Sequence, residues 1–113
     1  MNDSTKEKIR ELINSDRVVL FMKGTKDFPQ CGFSNVAVEI LKRSGLKSFT
    51  TVNVLADYDV REGVKEFSQW PTIPQLYLNG SFVGGSDILR DLYERGEFSK
   101  LVQEALDGDR KLV

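Results

Sequence analysis

The sequence predicts an α/β fold: a small mixed four-stranded sheet, parallel in one part and antiparallel in the other, with helices on both faces. Three observations predict it. Val18-Val19-Leu20-Phe21-Met22 is a continuous apolar run, as expected of a strand covered on both faces. Apolar residues at helical spacing then separate it from the β-branched stretch Phe49 to Val54, and strand, helix, strand implies a parallel pair. Asn79-Gly80 stands between two apolar runs, the strongest short hairpin signal.

The elements follow in order. Ser4-Thr5-Lys6-Glu7 has the pattern of a capping box, and Ile9, Leu12 and Ile13 give the first helix its apolar stripe. The first strand, 18–22, is followed by a polar loop from Lys23 to Gln30. A second helix opens at Cys31, with Phe33, Ala37, Ile40 and Leu41 at helical spacing and Gly45 as its stop. The second strand is 49–54. Asp57 or Asp59 caps a third helix carrying Val60, Val64 and Phe67. Gln75 to Leu78 and Ser81 to Val83 form the hairpin. A fourth helix starts near Ser86 or Asp87, Gly96 interrupts it, and Phe98 to Leu106 form the last one. No repeat, low-complexity tract or linker divides the chain, so residues 1–113 are expected to form one domain. In such a fold a ligand is expected at the carboxyl ends of the parallel strands.

Composition excludes more than it assigns. The 16 basic and 17 acidic residues give a formal charge of −1, so no footprint for nucleic acid or a membrane surface is expected. The longest apolar run has five residues, against the ~20 that span a bilayer. The start, Met-Asn-Asp-Ser-Thr-Lys, has the layout of neither a secretory signal nor an Arg-rich transit peptide, although a removed transit peptide is compatible with it. A single cysteine permits no internal disulfide and suits a reducing compartment. There is no histidine. Ser-His-Asp triads, Cys-His pairs and histidine metal sites are therefore excluded within one chain.

Attention falls on Cys31, in the stretch Gln-Cys-Gly-Phe-Ser-Asn. At the first turn of a helix, free amide groups and the positive dipole end stabilise a thiolate, and Lys23 at the end of the buried strand adds a positive charge on the same edge. A free cysteine often packs simply as a small hydrophobe; Pro29, Gln30 and Gly32 around this one describe a loop-to-helix turn instead. Three residues on, where a two-cysteine redox site carries its second thiol, stands Ser34. A second sulfur must then come from another protein or a small thiol. As a metal ligand one cysteine also falls short, because soft-metal and iron–sulfur sites usually take four sulfurs. Two chains plus two external thiols supply four. Pattern alone leaves both options open.

Other segments carry two readings each. In Trp70-Pro71-Thr72-Ile73-Pro74, a proline opening a strand beside a thiol is a candidate for a cis Ile73-Pro74 peptide, whose outward backbone would pair with an extended peptide-like ligand; a trans proline starting an edge strand is the commoner case. Gly84-Gly85-Ser86-Asp87 places close-approach backbone before a helix N-terminus, which suits a carboxylate, while Asp87 suits an ammonium group; a plain turn and cap reads equally well. Arg61 and Lys65, one turn apart, can each grip a carboxylate, though such residues are more often solvated surface charges. Trp70 and Tyr77 read as core or rim aromatics.

Taken together, "CGFS" after "MKGTKDFPQ", then "WPTIPQLYLNG", then "VGGSDI" resemble the monothiol glutaredoxins of the CGFS type, over nearly the whole chain and in the right order. The resemblance implies a thioredoxin fold with a cis proline at Pro74 and a groove for glutathione. It implies that Lys23 meets the glycine carboxylate of glutathione with Arg61 assisting, that Ile73 pairs through its backbone with the cysteinyl unit, and that Ser86 and Asp87 hold the γ-glutamyl end. Cys31 is implied as iron ligand or as the sulfur that carries a mixed disulfide. Members of this group resemble carriers of a 2Fe–2S cluster bridged between two protomers, each giving one cysteine and one glutathione, and they resemble partners of BolA-type proteins and of apo iron–sulfur acceptors.

Two departures are visible. Many relatives carry cysteine where Ser86 stands, so an internal disulfide with Cys31 is impossible here. Ile73 replaces the phenylalanine of several relatives, with little effect expected on a backbone contact. The Gly-Gly-Ser-Asp variant resembles photosynthetic-lineage members, which suggests a cyanobacterial or plastid origin beside bacterial cytoplasm or mitochondrial matrix. Three functions are weighed: a cluster carrier, a glutathione-dependent reductase of protein mixed disulfides, and a redox-inert partner-binding domain, against which the coincidence of three site motifs counts. The long loop Thr25 to Pro29 resembles the feature of poor reductases in the group and favours the carrier.

Overall fold

Val18–Met22 is buried residue by residue because the two faces of this strand serve two separate cores. In the computed structural model, which describes residues 1–113, Val18, Leu20 and Met22 pack on one side with Ala37, Leu41, Leu89, Phe98 and Val102. Val19 and Phe21 point to the other side, against Ile9, Ile13, Val60 and Val64. Side chains alternate across a strand, so a run apolar at every position is what double coverage requires. Each such side chain, fully buried, stabilises the fold by about 2 kcal/mol.

The strand is β1 of a four-stranded sheet whose order is β2-β1-β3-β4, with β2 Thr50–Asn53, β3 Gln75–Leu78 and β4 Ser81–Gly84. β1 pairs with β2 in parallel and with β3 antiparallel, and β3 with β4 antiparallel. Helices α1 (Asp3–Ile13) and α3 (Tyr58–Ser68) cover one face; α2 (Gly32–Lys42), α4 (Ser86–Glu94) and α5 (Phe98–Asp107) cover the other. One 3-10 turn, Val54–Ala56, links β2 to α3. This is the mixed α/β architecture expected from the sequence, and no helix is long and apolar enough to cross a membrane.

Local signals differ from expectation at two helix starts. The cap of α1 is Asn2, whose side chain accepts the Thr5 N–H at 2.8 Å, so Ser4 lies inside the first turn and not at the cap. A helix can begin on any short polar acceptor, and Asn2 lies two residues earlier than the Ser-x-x-Glu pattern suggests. The second difference concerns Cys31, which is the cap residue of α2 with extended backbone (φ −153°, ψ 136°). At α3 the expectation holds: Asp57 is the cap and accepts the Val60 N–H at 3.2 Å.

The hairpin turn has positive φ at both Asn79 (50°) and Gly80 (84°). Asn79 also fastens the C-terminal segment, donating from Nδ2 to the Asp109 carbonyl at 2.7 Å and accepting the Lys111 N–H at 2.9 Å. Arg17, just before β1, donates to the Ala105 and Leu106 carbonyls at the end of α5. The end of the sheet that holds the start of β1 and the β3–β4 turn is thus tied down, and the opposite end of β1 is where the candidate site residues gather.

Candidate functional site

Lys23 follows directly on β1, and its backbone is held on both sides. Its N–H donates to Ser34 Oγ at 3.0 Å, and its carbonyl accepts the Gln30 N–H at 2.9 Å. The next amide, Gly24 N–H, donates to Asn53 Oδ1 at 2.9 Å, which ties the end of β1 to the end of β2. Gly24 has φ +91°, and a Cβ there would lie 2.5 Å from the Phe28 carbonyl oxygen and 2.6 Å from the Gln30 nitrogen. Only glycine fits this position. Beyond it the loop closes on itself through paired backbone hydrogen bonds between Thr25 and Phe28. Lys26 anchors the loop from outside, with Nζ on the Phe49 carbonyl at 2.5 Å and 4.2 Å above the Phe49 ring.

The loop delivers Cys31 to the N-terminus of α2, half-buried. No hydrogen bond of ordinary geometry from the first turn ends on its sulfur. Burial pushes the thiol pKa up, but the Ser34 and Phe33 N–H dipoles, the Lys23 charge and the Ser34 hydroxyl outweigh it, and the thiol lies below the ordinary cysteine value. Ser34 is fully buried. Because its oxygen accepts the Lys23 N–H, its own hydrogen remains free to face the sulfur.

Across from Cys31 runs the segment Trp70 to Pro74, which contains the cis Ile73-Pro74 peptide. Ile73 is buried, in the same apolar cluster as Val19, Phe21 and Val64, and it also borders the groove. Trp70 at the rim is backed by a run of aromatic contacts: Trp70 to Phe82 at 5.9 Å, Phe82 to Tyr77 at 5.6 Å, and Tyr77 to Phe21 at 5.6 Å. Gly85 lets the start of α4 approach this segment, since a Cβ there would stand 3.1 Å from the Pro74 carbonyl oxygen and 3.4 Å from Trp70 Nε1.

Two neighbouring cavities lie along this seam and form one groove wall, sharing Phe33, Thr72 and Ile73. The first, about 260 Å³, lies between Lys23, Cys31 and Lys65. The second, about 140 Å³, runs from Trp70 to Ser86 and Asp87. The groove therefore has two ammonium groups at one end and, at the other, a helix N-terminus whose cap residue Gly85 provides no side-chain acceptor. The first-turn amides there are left for an external partner, with the exposed Asp87 carboxylate beside them.

Of the residues singled out in the sequence, Lys23, Cys31, Ile73, Ser86 and Asp87 all line this groove. Arg61 lines neither cavity: its nearest carboxylate is Glu62, 3.9 Å from Nε, and that Nε is buried without a hydrogen-bond partner. Lys65, one turn further along α3, lines the groove instead and also pairs with Glu62 at 3.1 Å. Phe33, Trp70 and Thr72 also line the walls, with Pro71, Pro74, Gly85 and Ile88. Each stands within or beside a motif, but helix phase and the path of the Trp70–Pro74 segment decide which of them face the groove.

Known proteins place the chain. The glutaredoxin family model matches residues 18–83. A Synechocystis protein described as an uncharacterized monothiol glutaredoxin, ycf64-like, is 54% identical over 106 residues, covering 94% of this chain and 98% of that one. The mitochondrial monothiol glutaredoxin-5 of Lachancea kluyveri is 51% identical over 107 residues, 93% of this chain and 75% of that protein. Among solved structures, reduced poplar apo GrxS14 superposes with a TM-score of 0.80 at 48% identity, covering 91% of this chain and 94% of that one.

Proposed function

The chain belongs to the monothiol glutaredoxins, with their thioredoxin fold, and from that premise we propose that it binds glutathione in the groove beside Cys31 and carries a 2Fe–2S cluster bridged between two protomers. One observation carries the reading: a thiol of lowered pKa stands at the mouth of a charged groove, and a buried serine occupies the place of the resolving thiol. Such a site has one sulfur to give and a place to hold a second, external one.

The residues fit that cargo. A thiolate is the ligand form of cysteine, and the α2 N-terminus with Lys23 favours it. The chain has a single cysteine, so one copy cannot complete a four-sulfur site. Two copies, each with a bound glutathione, supply two plus two. In this reading Lys23 and Lys65 hold the glycine-end carboxylate, with the Arg61 charge one turn away adding to the field. The Ile73 backbone pairs with the cysteinyl unit. Ser86, the α4 amides and Asp87 take the γ-glutamyl end. BolA-type proteins and apo iron–sulfur proteins are the proposed partners, in a reducing compartment of a bacterial, plastid or mitochondrial kind.

Anaerobic purification with iron, sulfide and glutathione tests the reading through the visible spectrum and the mass in solution. A coloured dimer that returns to colourless monomer in the Cys31→Ser variant is expected. A colourless monomer from the wild type under those conditions would sink it.

The lowered Cys31 pKa also favours a second reading, reduction of protein–glutathione mixed disulfides. The Cys31 thiolate attacks the glutathione sulfur, the protein thiolate leaves, and a second glutathione thiolate then releases oxidised glutathione and regenerates Cys31. Turnover of a glutathionylated substrate at rates typical of enzymes would promote that reading.

A further inference from the structure

Gln75 is fully buried at the start of β3, directly opposite Phe21 of β1. A carboxamide is a costly choice for such a position, since an apolar side chain of the same length would fill it without burying polar atoms. Its Nε2 donates to the Trp70 carbonyl at 3.0 Å and to the Thr72 carbonyl at 3.2 Å. Both partners are acceptors, which fixes the orientation of the amide: the NH₂ group faces the 70–72 backbone. The other atom, Oε1, is buried with no hydrogen-bond partner. Only the donors of Gln75 are used, and both go to the segment that walls the groove.

The two carbonyls bracket that segment. Trp70 is at its rim and Thr72 immediately precedes Ile73, which borders both cavities. With these carbonyls held from inside, they are not turned outward, and Ile73 keeps one orientation. We propose that Gln75 is the positioning residue of the groove: its two donors clamp the Trp70–Thr72 backbone, so that Ile73 is presented ready-made to an extended peptide thiol. The ligand class rests on the glutathione reading above; the clamp rests on the hydrogen bonds alone.

The test uses the full-length protein with reduced glutathione as the probe, comparing wild type with Gln75→Met, which keeps length and removes both donors. Gln75→Glu serves as the second variant; buried against two carbonyl oxygens, its carboxyl takes up a proton and can donate to only one of them. Three readouts are taken: glutathione affinity, the pH profile of Cys31 alkylation, and amide hydrogen exchange residue by residue. The clamp predicts about tenfold weaker glutathione binding, faster exchange at the Thr72 and Ile73 amides, an unchanged Cys31 profile, and unchanged exchange in β1. Unchanged exchange at Thr72 and Ile73 would overturn it. So would a loss of affinity accompanied by a shifted Cys31 profile and faster exchange throughout β1 and β3, which marks a structural residue only. Should wild type bind no glutathione, the ligand reading fails, and exchange at Thr72 and Ile73 still decides the clamp.

Discussion

The fully buried hydroxyl of Ser34 accepts the Lys23 backbone N–H at 3.0 Å, joining the first turn of α2 to the end of β1. The residue that replaces a resolving thiol is thus part of the frame that holds the site's cation and its sulfur together. Ser34→Ala leaves the Lys23 N–H without its partner in a half-buried setting. Urea unfolding should show a loss of about 1–3 kcal/mol. The alkylation midpoint of Cys31 should also rise, because the variant removes a donor facing the thiolate.

Cys31 itself sets a pH dependence. Its folded pKa is depressed below the ordinary value, so thiolate formation stabilises the fold. That contribution is complete above the unfolded-state pKa and is lost as pH falls through the folded one. Unfolding free energy measured from neutral to mildly alkaline pH should therefore rise more steeply in wild type than in Cys31→Ser. In Lys23→Gln the alkylation midpoint should move up toward the ordinary cysteine value, because that lysine's charge is one cause of the depression.

Gly24 gives a backbone test. With φ +91° and the Phe28 and Gln30 backbones within 2.6 Å of any added Cβ, Gly24→Ala cannot keep the loop path. The left-handed conformation alone costs about 1–3 kcal/mol for a non-glycine residue. The expected result is a folded protein, by circular dichroism, whose Lys23 is displaced and whose glutathione binding is lost. Retention of wild-type affinity would show that the groove does not depend on this turn.

Sequence made the layered architecture legible because its signals are local or periodic. A run apolar at every position announced β1, and Asn79-Gly80 announced the hairpin. Cys31, Ile73 and Ser86 were legible as members of motifs. Arg61 and Lys65 were not separable, because both are cations on one stretch of α3 and only the rotation of that helix against the Trp70–Pro74 segment selects Lys65. Gln75 was invisible for a different reason. In sequence it is one more residue of a strand, and its role depends on which way a buried amide turns.

That contrast on α3 yields the most discriminating prediction. Lys65 lines the cavity beside Lys23 and Cys31, whereas Arg61 lines neither cavity and faces Glu62. If the glycine-end carboxylate of glutathione sits between Lys23 and Lys65, Lys65→Gln removes a direct charge-assisted contact. Partial exposure and the competing Glu62 limit its worth, so affinity should fall about fivefold to tenfold. Arg61→Gln removes only a more distant charge and should cost less than about twofold at moderate salt. Calorimetric titration of both variants with glutathione checks the order. An Arg61 effect larger than that of Lys65 would mean that the guanidinium swings into the groove when ligand binds, leaving Glu62 and giving its buried Nε the partner that the free protein does not provide.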